Sequence, residues 1–271
     1  MLLKLILGLA LLYAAAAALL FLAQDSLLFP TRLVEPAAPL PAAAERLTLA
    51  APGGVRLEGV HIPPRGEGDG ESGGGATLLL GFAGNATNAQ NFALLLHELY
   101  PAHGIAAFHY RGYAPSGGEP DARALIEDAL RVHDMVARRY EPRRVVAVGM
   151  SLGSGVAAAL AAERELAGLV LVTPFDSLQA AARQLYFFMP VSLLLRHELD
   201  AAGALREADV PVAIVAAGRD RVIPPARTEA LREVVPNLVY DRTIEGAGHN
   251  DIVAAPGFAP AMREALAAVL E

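Results

Sequence analysis

The stretch RVVAVGMSLGSGVAAALAAE, residues 144–163, changes period in its middle. Up to Met150 it is a short apolar run rich in valine, the pattern of a strand buried on both faces. From Leu152 onward, small and apolar residues suit a helix packed close to its neighbours. The join is Gly149-Met150-Ser151-Leu152-Gly153, a G-x-S-x-G pentapeptide in the strand, turn and helix context that presents a serine nucleophile. Such a turn holds the serine in strained backbone geometry and projects its oxygen above the sheet, and the glycines leave space where a side chain would strike neighbouring backbone. The helix N-terminus behind Ser151 favours negative charge developing beside it. The bland alternative is a turn serine with no chemistry.

Outward from this turn, strands and helices alternate. Strands are expected at 76–82, 105–110, 144–150, 168–174, 210–218 and 237–244, and helices at 92–104, 121–140, 152–164, 225–235 and 256–270. LTLAA and VRLEGVHI flank Pro52-Gly53-Gly54 as a hairpin. Apolar runs on both strand faces require helices on each side, so the fold class is α/β: a mostly parallel sheet flanked by helices, with ligands bound outside the carboxyl ends of the strands. Residues 176–209 interrupt the alternation and contain LYFFMPVSLLL at 185–195. They are expected as a short helical lid, with Tyr186, Phe187, Phe188 and Leu193 to Leu195 over an acyl pocket, or with its apolar face against the bilayer; an ordinary crossover helix is the alternative. No internal repeat is present.

A neutral serine hydroxyl needs a base, and the base needs a carboxylate to fix its tautomer. Of seven histidines, His249 in EGAGHND follows the last expected strand, at the carboxyl end of the sheet. His97, His103 and His133 fall in or beside helices away from that end. Asp220, in AAGRDRVIPP, directly follows the strand before it; Asp176 is the runner-up, and Asp251 is too near His249 in sequence to orient it. The catalytic candidates are therefore Ser151, Asp220 and His249, in the chain order this arrangement uses. An oxyanion needs donors already in place. The backbone N–H groups of Leu152 and of Asn85, in the loop GFAGNATNAQN, are the candidates, with Ala83 and Phe82 as alternatives to Asn85.

Composition narrows the chemistry further. The chain has no cysteine, which removes disulfides, thiolate metal sites and cysteine nucleophiles. Its single lysine, Lys4, cannot complete a phosphate-binding loop, and a formal charge of −7 without a basic run argues against nucleic acid as a partner. A G-x-G-x-x-G at Gly68, Gly70 and Gly73 lies in the glycine-rich run GEGDGESGGG, read as a solvent loop, without the strand and helix that a dinucleotide site requires. The Asn85-Ala86-Thr87 sequon stands where a sugar would cover the site. No metal or organic cofactor is called for.

The run LILGLALLYAAAAALLFLA, Leu5 to Ala23, is uncharged. As a helix it spans about 28 Å, close to the thickness of bilayer hydrocarbon. A transmembrane helix is the first reading. A cleaved signal peptide, with the protein then secreted or periplasmic, is the alternative, because the alanines at 14–18 offer small-residue cleavage sites. Lys4 before the span and Asp25 after it place the catalytic domain on the non-cytoplasmic side. The organisation is then helix 5–23, tether 24–45 and domain 46–271, with 176–209 as a lid-like segment.

GMSLGSG, GRDRVIPP and GAGHND, together with FAGNATN, FHYRGYAPSGGEP and LVTPFDSL, resemble the α/β-hydrolase superfamily over roughly residues 46–271. The likeness is specifically to membrane-anchored Bem46-like serine hydrolases, with their serine aminopeptidase S33-like domain. Ala83 stands where relatives usually carry a histidine, and Ala114-Pro115 alters the YRGYG-x-S motif. The resemblance implies a serine hydrolase that cleaves a carboxylic ester or thioester of an acyl or lipid-like small molecule through an acyl-enzyme. A serine aminopeptidase or amidase, a transacylase or haloperoxidase, and a catalytically silent binding protein on the same fold are the alternatives.

Overall fold

The computed structural model describes residues 1–65 and 77–271. The glycine-rich run at 66–75, with its G-x-G-x-x-G, and Ala76 at the head of an expected strand lie outside the described residues.

A long helix, α1 (Leu2–Leu28), precedes a hairpin of β1 (Glu45–Ala51) and β2 (Val55–Ile62). Alternating elements follow: β3 (Thr77–Phe82), α2 (Ala89–Leu99), β4 (Gly104–Phe108), α3 (Ala122–Tyr140), β5 (Arg144–Met150), α4 (Leu152–Glu163) and β6 (Gly168–Val172). Three short helices then form a cap, α5 (Leu178–Leu185), α6 (Val191–Leu194) and α7 (Ala201–Leu205). The chain closes with β7 (Val212–Ala217), α8 (Pro225–Arg232), β8 (Leu238–Ile244) and α9 (Phe258–Leu270).

Among the described residues, eight strands form one sheet in the order β1-β2-β4-β3-β5-β6-β7-β8. β1, β2 and β4 pair antiparallel, and every pairing from β4 through β8 is parallel. Every residue of β3, β4, β6 and β7 is buried. Alternation divides them between two cores: in β5, Ala147 faces the layer of α3 and α4, while Val146 and Val148 face that of α2 and α9. From β3 the chain moves outward to β4, then returns past β3 to β5. The crevice at the carboxyl ends of β3 and β5 is the switch point at which such sheets bind ligands.

Local chemistry moved some boundaries from their expected places. α2 begins at Ala89 because the Asn88 side chain accepts from the N–H groups of Gln90 and Asn91, and it stops before Tyr100-Pro101, where the residue preceding proline leaves helical geometry. Residues 176–209 hold several short helices: Ser177 and Asp200 cap α5 and α7, and Pro190 separates α5 from α6.

α1 is long and apolar enough to cross a membrane, with a mean hydropathy of 2.6 over an 18-residue window. Gln24 is its buried residue. Residues 24–45, expected as a tether, are fastened to the domain at both ends. The Gln24 amide donates to the Leu194 carbonyl (3.2 Å) and accepts from the Arg196 N–H (2.9 Å). The Arg196 guanidinium and the His197 imidazole both meet the Asp25 carboxylate, at 2.9 and 2.6 Å. Farther on, Asn88 and Asn91 at the start of α2 donate to the carbonyls of Glu35 and Pro36, and the Gln90 amide donates to that of Ala38.

Candidate active site

β5 ends at Met150, and Ser151 turns the chain into α4 with φ 50° and ψ −117°. A positive φ is costly for a residue with a side chain, and it concentrates at sites where the surroundings enforce it. Two close approaches enforce it here. A Cβ on Gly149 would strike the Gly153 carbonyl, and one on Gly153 would strike that of Phe82, so both glycines are required for α4 to lie against the ends of β3 and β5. The Ser151 N–H donates to the Val172 carbonyl at 2.9 Å, which anchors the turn to β6.

Asp220 follows β7 and His249 lies in the loop after β8. The two come together at the same end of the sheet. His249 Nδ1 stands 2.7 Å from Asp220 Oδ2, and Nε2 stands 2.8 Å from Ser151 Oγ. The other Asp220 oxygen accepts from the N–H groups of Val222 and Ile223, at 2.9 and 2.7 Å. These donors fix the carboxylate and leave Oδ2 to the imidazole. With Nδ1–H donating to Asp220, Nε2 presents its lone pair to the serine hydroxyl; this tautomer is assigned from the partners. The imidazole and carboxyl side chains are 9 % and 5 % exposed, so little water competes for the pair.

The structure does not bring the alternative carboxylates to the imidazole. Asp176 binds the Arg227 guanidinium at 2.9 Å, and Asp251 accepts from the Gly248 N–H at 2.5 Å, shaping the loop that carries His249. Ser154 is fully buried and donates to the Ser151 carbonyl at 2.6 Å.

Asn85, Ser151 and Leu152 line one cavity of about 300 Å³. Leu152 is the first residue of α4, where N–H groups lack intrahelical acceptors. Both polar ends of the Asn85 side chain are engaged: Oδ1 accepts from the Tyr113 hydroxyl and Nδ2 donates to the Leu28 carbonyl, each at 2.6 Å. The Tyr110 hydroxyl donates to the Ala83 carbonyl at 2.9 Å. Sequence reasoning did not single out these tyrosines, although both lie in the quoted stretch FHYRGYAPSGGEP. They brace the loop at Ala83 and at Asn85.

Apart from Gln24, the rest of the cavity lining is apolar. Its walls come from α1 (Leu20, Phe21, Leu27), the cap (Leu178, Tyr186, Met189) and the segment after Asp220 (Val222, Ile223). Of the residues expected to cover a pocket, Tyr186, Leu194 and Leu195 line it. Phe187, Phe188 and Leu193 instead face outward, at 84 %, 54 % and 83 % exposure. The contribution of α1 has no counterpart in the sequence reading.

No family model matches the chain. The uncharacterized protein Rv2307c of Mycobacterium tuberculosis is 30 % identical over 200 residues, covering 73 % of this chain and 69 % of that protein. Alpha/beta hydrolase domain-containing protein 17C of Homo sapiens is 29 % identical over 154 residues, 55 % of this chain and 44 % of that one. Lysophosphatidylserine lipase ABHD12 of Gallus gallus is 33 % identical over 128 residues, 44 % and 32 % of the two chains. Among solved structures, a putative hydrolase from Agrobacterium vitis superposes with a TM-score of 0.65 at 17 % identity, covering 86 % of this chain and all of that one. A membrane phospholipase A described as a bacterial virulence factor gives 0.58 at 16 % identity and covers 98 % of both chains. These superpositions carry the fold, and the sequence match carries the kinship: the chain has the α/β-hydrolase fold and belongs to the family of Rv2307c.

Proposed function

We propose that the protein is a membrane-anchored serine hydrolase, of the Bem46-like kind, that cleaves a carboxylic ester or thioester of an acyl or lipid-like substrate. The observation that carries this reading is the run of short contacts from Asp220 through His249 to Ser151, opening on an apolar cavity. The likeness to a lysophosphatidylserine lipase supports a lipid-like acyl group. Lys4 ahead of the span supports a catalytic domain on the non-cytoplasmic side.

In the first step His249 Nε2 takes the hydroxyl proton as Ser151 Oγ bonds to the substrate carbonyl carbon. The resulting oxyanion is held by the N–H groups of Leu152 and Asn85, and Asp220 stabilises the imidazolium. His249 then gives its proton to the leaving alcohol or thiol, and the bond to it breaks. Water repeats the sequence on the acyl-enzyme, releasing the acid and restoring Ser151.

Labelling with a fluorophosphonate tests the reading. Full-length protein in detergent is expected to take one phosphonate adduct, on the peptide containing Ser151. Ser151→Ala loses both adduct and ester turnover, Ser154→Ala keeps both, and Asp220→Asn retains a residual rate about 10³- to 10⁴-fold down, because it damages tautomer and orientation while Ser151 remains. An adduct that persists in folded Ser151→Ala removes Ser151 from this role.

A further inference from the structure

The Tyr13 hydroxyl, halfway along α1, donates to the Phe188 carbonyl at 3.0 Å. This bond fixes the depth of the cap tip. The uncharged run from Leu5 to Ala23 is about as long as bilayer hydrocarbon is thick, which sets Lys4 at one interface and Gln24 and Asp25 at the other. Asp25, Arg196 and His197 form their polar cluster at this second level. Tyr13 lies eleven residues from Gln24, about 16 Å along the helix axis, near the bilayer midplane. Even allowing for the length of the tyrosine side chain, Phe188 stands below the headgroups.

The surface of the cap tip suits that depth. No charged residue occurs between Arg183 and Arg196. Leu185, Phe187, Phe188 and Leu193 are each at least half exposed, beside an α1 whose leucines are exposed as well. A contiguous apolar surface of this kind marks an interaction site, and its continuity with a membrane-length helix names the occupant. The Asn85 amide on the Leu28 carbonyl puts the loop beside Ser151 four residues past Gln24, at headgroup level.

We propose that the cap tip, residues 185–195, is sunk in the near leaflet beside α1, and that the cavity admits the acyl chain of a bilayer-resident glycerolipid ester to Ser151 without passage through water. One end of the cavity, at Leu20, Phe21, Tyr186 and Met189, lies at hydrocarbon depth; the other, at Ser151, lies where the ester carbonyl of such a lipid resides. The insertion rests on α1 crossing the bilayer, and the route for the chain rests on the hydrolase reading.

The chain contains no tryptophan, so Phe187→Trp supplies a single indole at an exposed position, with Val239→Trp on β8 as the control. Each full-length variant is placed in phosphatidylcholine vesicles with or without bromine on the acyl chains. Emission from Phe187→Trp is expected to fall at least about twofold on brominated lipid, while Val239→Trp is unchanged. Equal emission losses in the two variants overturn the insertion. In a second arm, the double variant Phe187→Asp with Phe188→Asp is expected to lose about tenfold or more of its turnover of vesicle phosphatidylcholine, since charge is costly at that depth, and to keep turnover of a water-soluble butyrate ester within about twofold. Equal loss on both substrates, or no loss on either, overturns the route. If wild type cleaves neither ester, the hydrolase reading falls and the route with it, and quenching alone decides the insertion.

Discussion

Tyr113 acts on the site through Asn85. Burial raises the pKa of the Tyr110 and Tyr113 phenols above the ordinary value, so both remain hydrogen-bond donors throughout the working pH range. Tyr113→Phe keeps the ring that packs against Tyr110 and removes the donor to Asn85 Oδ1. An amide oxygen left without its partner in a partly buried setting costs on the order of 1–3 kcal/mol, and the loop relaxes to recover it. On the proposed reading, in which the Asn85 N–H is an oxyanion donor, such a shift of the loop costs transition-state stabilisation first. Tyr113→Phe is therefore expected to lower kcat about tenfold with KM little changed, and steady-state kinetics on a soluble ester check this. A rise in KM at constant kcat would instead place Tyr113 in ground-state binding. The serine turn was legible in the sequence because its glycines and strand-to-helix change are local, and so was the juxtaposition of Ser151, Asp220 and His249, because each follows a strand that ends on one edge. The tyrosine braces were not legible: a hydroxyl reaching from residue 113 to residue 85 leaves no local pattern.

Among the elements, α1 and the cap complete the cavity together, and a latch holds them in register. Asp25 receives both Arg196 and His197, and His197 is 4 % exposed, so Asp25→Ala removes the carboxylate on Nε2 of a buried imidazole, leaving it Asp121 at 3.4 Å from Nδ1, and unpairs the half-exposed guanidinium. An apolar pocket of this volume predicts that kcat/KM rises with acyl length from acetate to octanoate, by up to about fourfold per methylene where burial is complete. Asp25→Ala is expected to flatten that rise while leaving acetate turnover nearly unchanged, because the acyl wall shifts and Ser151 does not. A chain-length series on both proteins checks this; a flat wild-type profile would favour a small-substrate amidase. The strands were legible because two-sided burial writes continuous apolar runs. The cap was visible only as an interruption, since its short helices depend on Ser177, Pro190 and Asp200, and the latch pairs residues far apart in the chain.

At the scale of the whole molecule, two cores enclose the sheet and several histidines are buried with it, which makes stability depend on acid. Burial is the largest cause of lowered protonation at His61, His97, His103 and His109. His109 is pushed from 6.5 to about 4, with the Arg46 charge adding to burial and Glu58 opposing it. The unfolded chain takes up this proton near 6.5, whereas the folded chain excludes it until about 4. Between those values the unfolded state binds more protons, so stability is full above about pH 7 and declines as pH falls through the window. The His109 contribution is about 3 kcal/mol at most. Urea unfolding in detergent at pH 7.5, 6, 5 and 4.5 is expected to show that decline in wild type. His109→Gln removes the titrating group, so the drop between pH 7.5 and 4.5 shrinks even where the variant starts from lower stability. An unchanged drop in the variant would assign the acid sensitivity to the other buried histidines, and a wild-type protein equally stable at both ends of the range would contradict the exclusion of protons from the fold.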